Sequence, residues 1–241
     1  MRFLLLVMPL LAAAQDAPRL FYSKTFSGSQ PPYVEIRLER DGRAEYREGP
    51  NEDNPVVFRL QPREVEAVFA LSDKLDHLKR ELESGLKVAR MGDKVMRWEH
   101  GAERHEVKFN YTLDADGAAL YDWFERMCES ELYYMDLERA AKYDKLGVNQ
   151  AILKLEAAWD RRRLVAVDQY LKLLDRVAKN ETYLNMARER AAKLAENFRN
   201  PPPEPEKAAA KPEGGHNGKA NGSNGGGKHG GKHGGKHGGK Q

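Results

Sequence analysis

Histidines in a glycine-rich repeat near the C-terminus are the residues whose type and spacing point most directly to chemistry. The unit Lys-His-Gly-Gly occurs three times in succession, which places His229, His233 and His237 four residues apart. Imidazole is a good ligand for zinc, nickel and copper, and glycine leaves the backbone free to bring several rings to one ion. His216 adds a fourth candidate ligand. The repeat predicts a metal site of modest affinity, because ordering so flexible a chain costs conformational entropy.

The lysines of the same tail support a different interpretation. From Gly214 onward the sequence holds five lysines and no acidic residue. Such a segment is typical of a cationic tether for anionic envelope polymers, membranes or nucleic acid, and protonation of its histidines would strengthen the attraction in acid. A third interpretation is a repeat that stays solvated and binds nothing. The residues leave all three open.

A second pair of histidines, His100 and His105, flanks a predicted hairpin turn. If both rings share a face of the hairpin they can hold one ligand, and this arrangement is the basis of an alternative function, an envelope hydrolase. The acidic residues nearby are Glu99, Glu103 and Glu106. Their spacing provides no third ligand at a defined position, so solvated turn residues are the simpler interpretation.

Cys128 is the only cysteine, so no disulfide can form within the chain. We expect it to be a small buried apolar side chain on a helix, with a reactive thiol or an intermolecular bridge as the alternatives. The sequence contains no nucleophile elbow, no His-Glu-x-x-His, no phosphate-binding glycine loop, no dinucleotide fingerprint and no Cys-x-x-Cys pair. A non-enzymatic role is therefore favoured.

The N-terminus predicts export. Arg2 precedes a short apolar run, and small residues lead to a cleavage site after Ala14, as in a secretory signal peptide. The region from Pro201 onward carries seven lysines against three glutamates, so the part from Gln15 to Asn200 has a net charge of about −2. This charge argues against nucleic-acid binding by the folded region. No other stretch is long and apolar enough to predict a transmembrane segment.

Alternation of apolar and polar residues predicts strands in two related units, the second of which carries the hairpin histidines. The first has strands at Leu20 to Phe26, Tyr33 to Glu39, Arg43 to Arg47 and Val56 to Leu60, with a turn at Asp41-Gly42 and a helix from Pro62 to Leu82. On that helix Val68, Leu71, Leu75, Leu78 and Leu82 form one stripe, and His77 falls on the polar side, at the surface. The second has strands at Lys94 to Glu99 and Arg104 to Asn110, followed by a helix for which Asp116 is the expected N-cap.

Helical periodicity dominates the rest of the chain. A long helical run is expected from Gly117 to Trp159, and further stripes predict helices over Leu164 to Ala178 and Leu184 to Phe198, with Asn180 as an N-cap between them. From Pro201 the Pro-rich and then Gly/Lys/His-rich composition predicts disorder. The expected organisation is a signal peptide (1–14), an α+β domain (15–135), a helical segment (136–200) and a tail (201–241).

The pattern from Leu20 to Met127, with its Asp-Gly hairpin and Pro-led helix, resembles the small exported domains of unknown function found in many bacteria. That resemblance implies a periplasmic or secreted protein and brings no catalytic residues with it. The predicted fold is α+β, an antiparallel sheet covered on one face by two helices and followed by helices. The predicted function is that of a non-enzymatic binding or scaffold protein whose partner is an envelope protein or an anionic polymer.

Overall fold

The computed structural model describes residues 17–201, and within that range six strands and five helices follow one another in runs, four strands, one helix, two strands and four helices, as expected of an α+β chain. The strands are β1 (Arg19–Thr25), β2 (Tyr33–Glu39), β3 (Arg43–Arg47), β4 (Val56–Arg59), β5 (Asp93–His100) and β6 (Glu103–Phe109). The helices are α1 (Pro62–Lys74), α2 (Ala115–Tyr143), α3 (Val148–Asp160), α4 (Asp168–Lys179) and α5 (Asn185–Arg199). The predicted signal peptide, and all of the predicted tail beyond Pro201, lie outside the described residues.

The six strands form one antiparallel sheet in the order β4-β3-β2-β1-β5-β6. Strands β2 and β3 begin and end where alternation predicted them, and the other four lie within a residue of their predicted bounds. The tight β2–β3 turn needs Gly42, whose φ is +89° and whose missing Cβ would stand 2.9 Å from the carbonyl oxygen of Leu60. The α+β class is thereby confirmed.

One face of the sheet is buried under α1 and α2. Ile36, Tyr46 and Met96 project from this face and belong to the same core as Val68 of α1 and Phe124 of α2. The opposite face carries alternating arginine and glutamate side chains, and several of their ion pairs join neighbouring strands. A sheet with one packed face and one charged face is the usual antiparallel arrangement. The prediction that two helices cover one face is confirmed.

Helix α1 ends at Lys74 and not at Leu82 as predicted. Asp76, His77 and Leu78 follow with φ values of 52°, 55° and 62°, in the left-handed region. This region costs a residue with a side chain roughly 1–2 kcal/mol. Burial of Leu78, which is 1% exposed, offsets part of that cost. The leucines of the predicted apolar stripe that lie beyond the end of α1 thus remain buried in the core, although the backbone that carries them is not helical.

The predicted helical run from Gly117 to Trp159 is divided into two helices, because a non-helical connection separates Tyr143 from Val148. The N-cap of α2 is Asp114 and not Asp116, since the Asp114 carboxylate accepts a hydrogen bond from the Gly117 N–H at 2.9 Å. Helix α2 contributes to two hydrophobic cores. Phe124 belongs to the core under the sheet, and Leu137 belongs to a second core formed with α3, α4 and α5.

The last two helices differ from prediction at their starts. Helix α4 begins at Asp168, because Leu164 to Val167 form a non-helical connection that is buried against the sheet core and α2. Asn180 is the C-cap of α4 and not the N-cap of α5, which begins at Asn185 after Leu184. The Asn180 side chain instead accepts a hydrogen bond from the Thr182 N–H at 3.0 Å.

Candidate functional site

The four histidines predicted as metal ligands, His216, His229, His233 and His237, lie outside the described residues. Within residues 17–201, no group of three or more His, Cys, Asp or Glu side chains is arranged to hold a metal ion. The metal site of the tail accordingly stays a prediction from its sequence.

The hairpin histidines do come together, around a tryptophan. The ring of His105 lies parallel to that of Trp98 with centroids 5.5 Å apart, and His100 meets Trp98 edge-on at 5.7 Å. His77 completes the group, since its ring stacks on Trp98 at 4.4 Å. We call these four residues the histidine–tryptophan cluster. His77 is at the surface as predicted, with 38% of its side chain exposed, but one face of its ring lies against Trp98, which the sequence does not predict.

Strand register explains two of the three histidine positions. Trp98 and His105 are directly opposite each other on β5 and β6, and His100 is two residues beyond Trp98 on the same face. His77 arrives from the left-handed turn after α1. Alternation along β5 and β6 was enough to bring His100 and His105 to Trp98, whereas a helix through Leu82 would have directed His77 elsewhere.

The hydrogen bonds of His105 define what its ring can do. Its Nδ1 lies 3.1 Å from the carbonyl oxygen of His77, so Nδ1 carries the hydrogen and donates it. Its Nε2 lies 3.3 Å from a carboxylate oxygen of Glu103. His77 is engaged in the same way, with Nε2 3.2 Å from the Asp73 carboxylate. These partners orient the rings, but they are acceptors and not the hydroxyl or thiol that a general base would activate.

The only thiol is not part of the histidine–tryptophan cluster. Cys128 lies on α2, and its side chain is buried in the core under the sheet. Burial, helped by the nearby Glu125 carboxylate, raises the pKa of the Cys128 thiol well above its usual range. The expectation of a buried apolar cysteine is confirmed, and a thiol held in this state is a poor nucleophile.

A polar cluster that the sequence did not suggest lies beneath the C-terminal end of β1, away from the end that pairs with Trp98. The carboxylate of Glu125 accepts hydrogen bonds from Tyr22 at 2.6 Å and from Lys24 at 2.6 and 2.8 Å. Lys94 is paired with Lys24 across β1 and β5, and its ammonium donates to the carbonyl of Asn110 at 2.6 Å. Burial lowers the pKa of Lys94. Alternation was the available signal, because it assigns Lys24 and Lys94 to the buried face.

Two carboxyl groups are buried where α2 meets α1 and α4. Glu64 accepts from the backbone N–H of Ala166 at 3.3 Å, and burial raises its pKa. Glu131 is 0% exposed, with one oxygen 2.8 Å from Gln169 Nε2 and the other without a hydrogen-bond partner among the described residues. Burial raises the pKa of Glu131 to about 8. Glu64 thus binds the connection before α4 and Glu131 binds the first turn of α4, and the helical periodicity of α1 and α2 gives no signal of either contact.

A cleft of about 780 Å³ opens beside the end of the β5–β6 hairpin that is remote from the histidines. The loop of residues 83–92 forms one wall. It is tied to the sheet by Asn110, whose N–H donates to Glu83 at 2.6 Å and whose side-chain oxygen accepts from the Met91 N–H at 2.9 Å. Arg90 and Asp93, which also line the cleft, form an ion pair with each other. The polar lining is thus largely occupied by its own internal contacts.

Comparison with known proteins does not assign a family. No protein-family model matches the chain, and no curated protein is similar to it at a significant level. None of the five helices within residues 17–201 combines the length and the apolar character needed to cross a bilayer. The function of this protein is therefore inferred from the chemistry of its own residues.

Proposed function

We propose that this chain is an exported, non-enzymatic binding or scaffold protein whose C-terminal tail binds a transition metal or a polyanion. The observation that carries the non-enzymatic part is the engagement of His105. Its two ring nitrogens face the carbonyl of His77 and the carboxylate of Glu103, and its ring lies against Trp98. Such contacts are typical of a ring that supports structure. Export is supported by the signal-peptide pattern of residues 1–14.

The binding part of the proposal rests on the tail. His216, His229, His233 and His237 offer imidazole ligands for nickel, copper or zinc on a glycine-rich backbone. The lysines between them offer charge to an anionic envelope polymer or to an acidic surface of an envelope protein. A bound metal ion requires neutral imidazole rings, whereas a bound polyanion favours protonated ones. The two ligands should therefore compete for the tail in mildly acidic solution.

One observation favours the alternative, an envelope hydrolase. Three imidazoles, those of His77, His100 and His105, gather around Trp98 at one end of the sheet. A hydrolase would need His100 or His105 to take a proton from water or a substrate hydroxyl. A substrate would then have to replace Glu103 as the partner of His105 Nε2.

Calorimetric titration of nickel, copper and zinc into the full chain tests the proposal. A variant with His216, His229, His233 and His237 changed to alanine should lose the binding heat. The control variant H100A/H105A carries fewer histidines but keeps the tail, and it should bind as the unchanged chain does. Heat that persists in the tail variant and disappears in the control would contradict the proposal and favour the hairpin site. A parallel titration with polyphosphate, which should weaken steeply with salt, tests the polyanion part.

A further inference from the structure

The turn after α1 is more distorted than a helix end requires. The His77 N–H bonds to the Ser72 carbonyl at 2.9 Å and the Asp76 N–H to the Asp73 carbonyl at 3.0 Å, which is the Schellman pattern. That pattern needs one left-handed residue, usually glycine. Here three consecutive residues with side chains, 76 to 78, are left-handed. Backbone outliers of this kind concentrate at functional sites and switch regions.

The same segment is competent to be helical. Residues 75 to 82 contain no glycine or proline, and Leu75, Leu78 and Leu82 have the spacing of one helical face. These leucines are at most 2% exposed in the observed turn. A continued helix would also direct them toward the sheet. Both backbone conformations can therefore bury the same side chains, which is the condition for two states of similar free energy.

His77 is the residue that distinguishes the two conformations. In the observed turn its ring covers Trp98, and its carbonyl accepts the hydrogen bond from His105. A helix advances about 100° per residue, so on a continued α1 His77 would lie about 200° away from Leu75. Since Leu75 faces the core, His77 would face solvent. Extension of the helix would uncover Trp98 and free the Nδ1 hydrogen of His105.

We propose that residues 75–82 form a conformational switch between the observed left-handed turn and a C-terminal extension of α1. In the turn state the ring of His77 stacks on Trp98 and shields it from solvent. In the extended state the indole of Trp98 and the ring of His105 become accessible together at the end of the sheet. The discrepancy between the helical sequence and the observed turn is what a two-state segment produces, because local preference and tertiary packing then favour different backbones.

Asp76 allows the switch to be tested through the backbone alone. Its side chain is exposed and forms no hydrogen bond or ion pair within residues 17–201. Glycine at this position favours the left-handed turn and disfavours helix, and alanine does the reverse. The variants D76A and D76G should therefore differ roughly 30-fold in the ratio of extended to turn state. The matched control pair is D53A and D53G, in an exposed loop between β3 and β4.

Exchange-saturation NMR on residues 76–82 and on the Trp98 indole measures the populations, because it detects minor states that exchange in milliseconds. We expect D76A to show a conformer with helical carbon shifts at residues 76–82 and to populate it more than the unchanged chain. D76G should lose it, and the control pair should leave it unchanged. The Trp98 indole should exchange with the same rate and population. The proposal is overturned if D76A shows no such conformer, or if the Trp98 signal does not follow it.

Discussion

The buried carboxyl group of Glu131 should make the stability of this protein depend on pH. Glu131 is fully buried, and one of its oxygens has no hydrogen-bond partner within the described part of the chain. Burial raises its pKa from the usual 4.5 to about 8. The folded state therefore holds a proton between pH 4.5 and 8 that the unfolded chain releases. The stability from this group is complete below pH 4.5 and is lost as the pH rises through 8.

The size of the effect follows from the shift. Each pKa unit corresponds to 1.36 kcal/mol, so a shift from 4.5 to about 8 corresponds to roughly 5 kcal/mol of unfolding free energy. Glu131→Gln keeps the shape of the side chain and removes its titration. The free energy of unfolding of E131Q relative to the unchanged chain should rise by roughly that amount from pH 4.5 to pH 9. An unpaired amide N–H in the variant would add an offset that does not depend on pH.

Urea denaturation followed by tryptophan fluorescence at pH 4.5, 7 and 9 measures this difference. The difference between two proteins is needed because Glu64, whose pKa is also raised by burial, contributes the same slope to both. Glu138→Gln is the matched control, since Glu138 is an exposed acid on the same helix. A difference between E131Q and the unchanged chain that is as flat as that of E138Q would refute the reasoning. Glu131 would then be ionised in the fold at neutral pH.

Two further predictions concern the backbone and the thiol. Gly42→Ala should lower the free energy of unfolding by about 2–3 kcal/mol, because it combines a φ of +89° with a Cβ 2.9 Å from a carbonyl oxygen. Gly49→Ala, where a Cβ would meet nothing within 4 Å, should be close to neutral, and equal urea midpoints for the two variants would contradict this account. Cys128 should react with an aromatic disulfide reagent only at the rate of unfolding, because it is buried and its thiol pKa is raised. Rapid stoichiometric labelling of the native protein would show that the thiol is reachable.

Parts of the candidate site could be predicted and parts could not, for reasons that differ from residue to residue. The sequence places His100 and His105 near each other, because a hairpin pairs neighbours in sequence, and the register of β5 and β6 puts both rings on the face of Trp98. The contact of His77 with Trp98 could not be predicted, because a helical stripe through Leu82 places His77 on the polar side of a helix that in fact ends at Lys74. The sequence gives no signal that the Glu131 carboxyl group is buried, since its hydrogen-bond partner, Gln169 of α4, lies 38 residues later in the chain.

The sequence by itself determined the strands, their hairpins and the class of the fold. The reason is that these signals are local: apolar and polar residues alternate in Tyr33–Glu39 and in Arg43–Arg47, and a glycine stands at position 42. Such signals favour two strands and a tight turn whatever the segment packs against. The tertiary structure decided where α1 stops and which side chain covers Trp98. The left-handed backbone of residues 76–78 costs roughly 1–2 kcal/mol per residue relative to helix, whereas the stacking of His77 on Trp98 and the hydrogen bond from His105 to the His77 carbonyl are contacts of the turn and not of a continued helix. Packing against the sheet can therefore impose a left-handed turn that the local sequence does not favour.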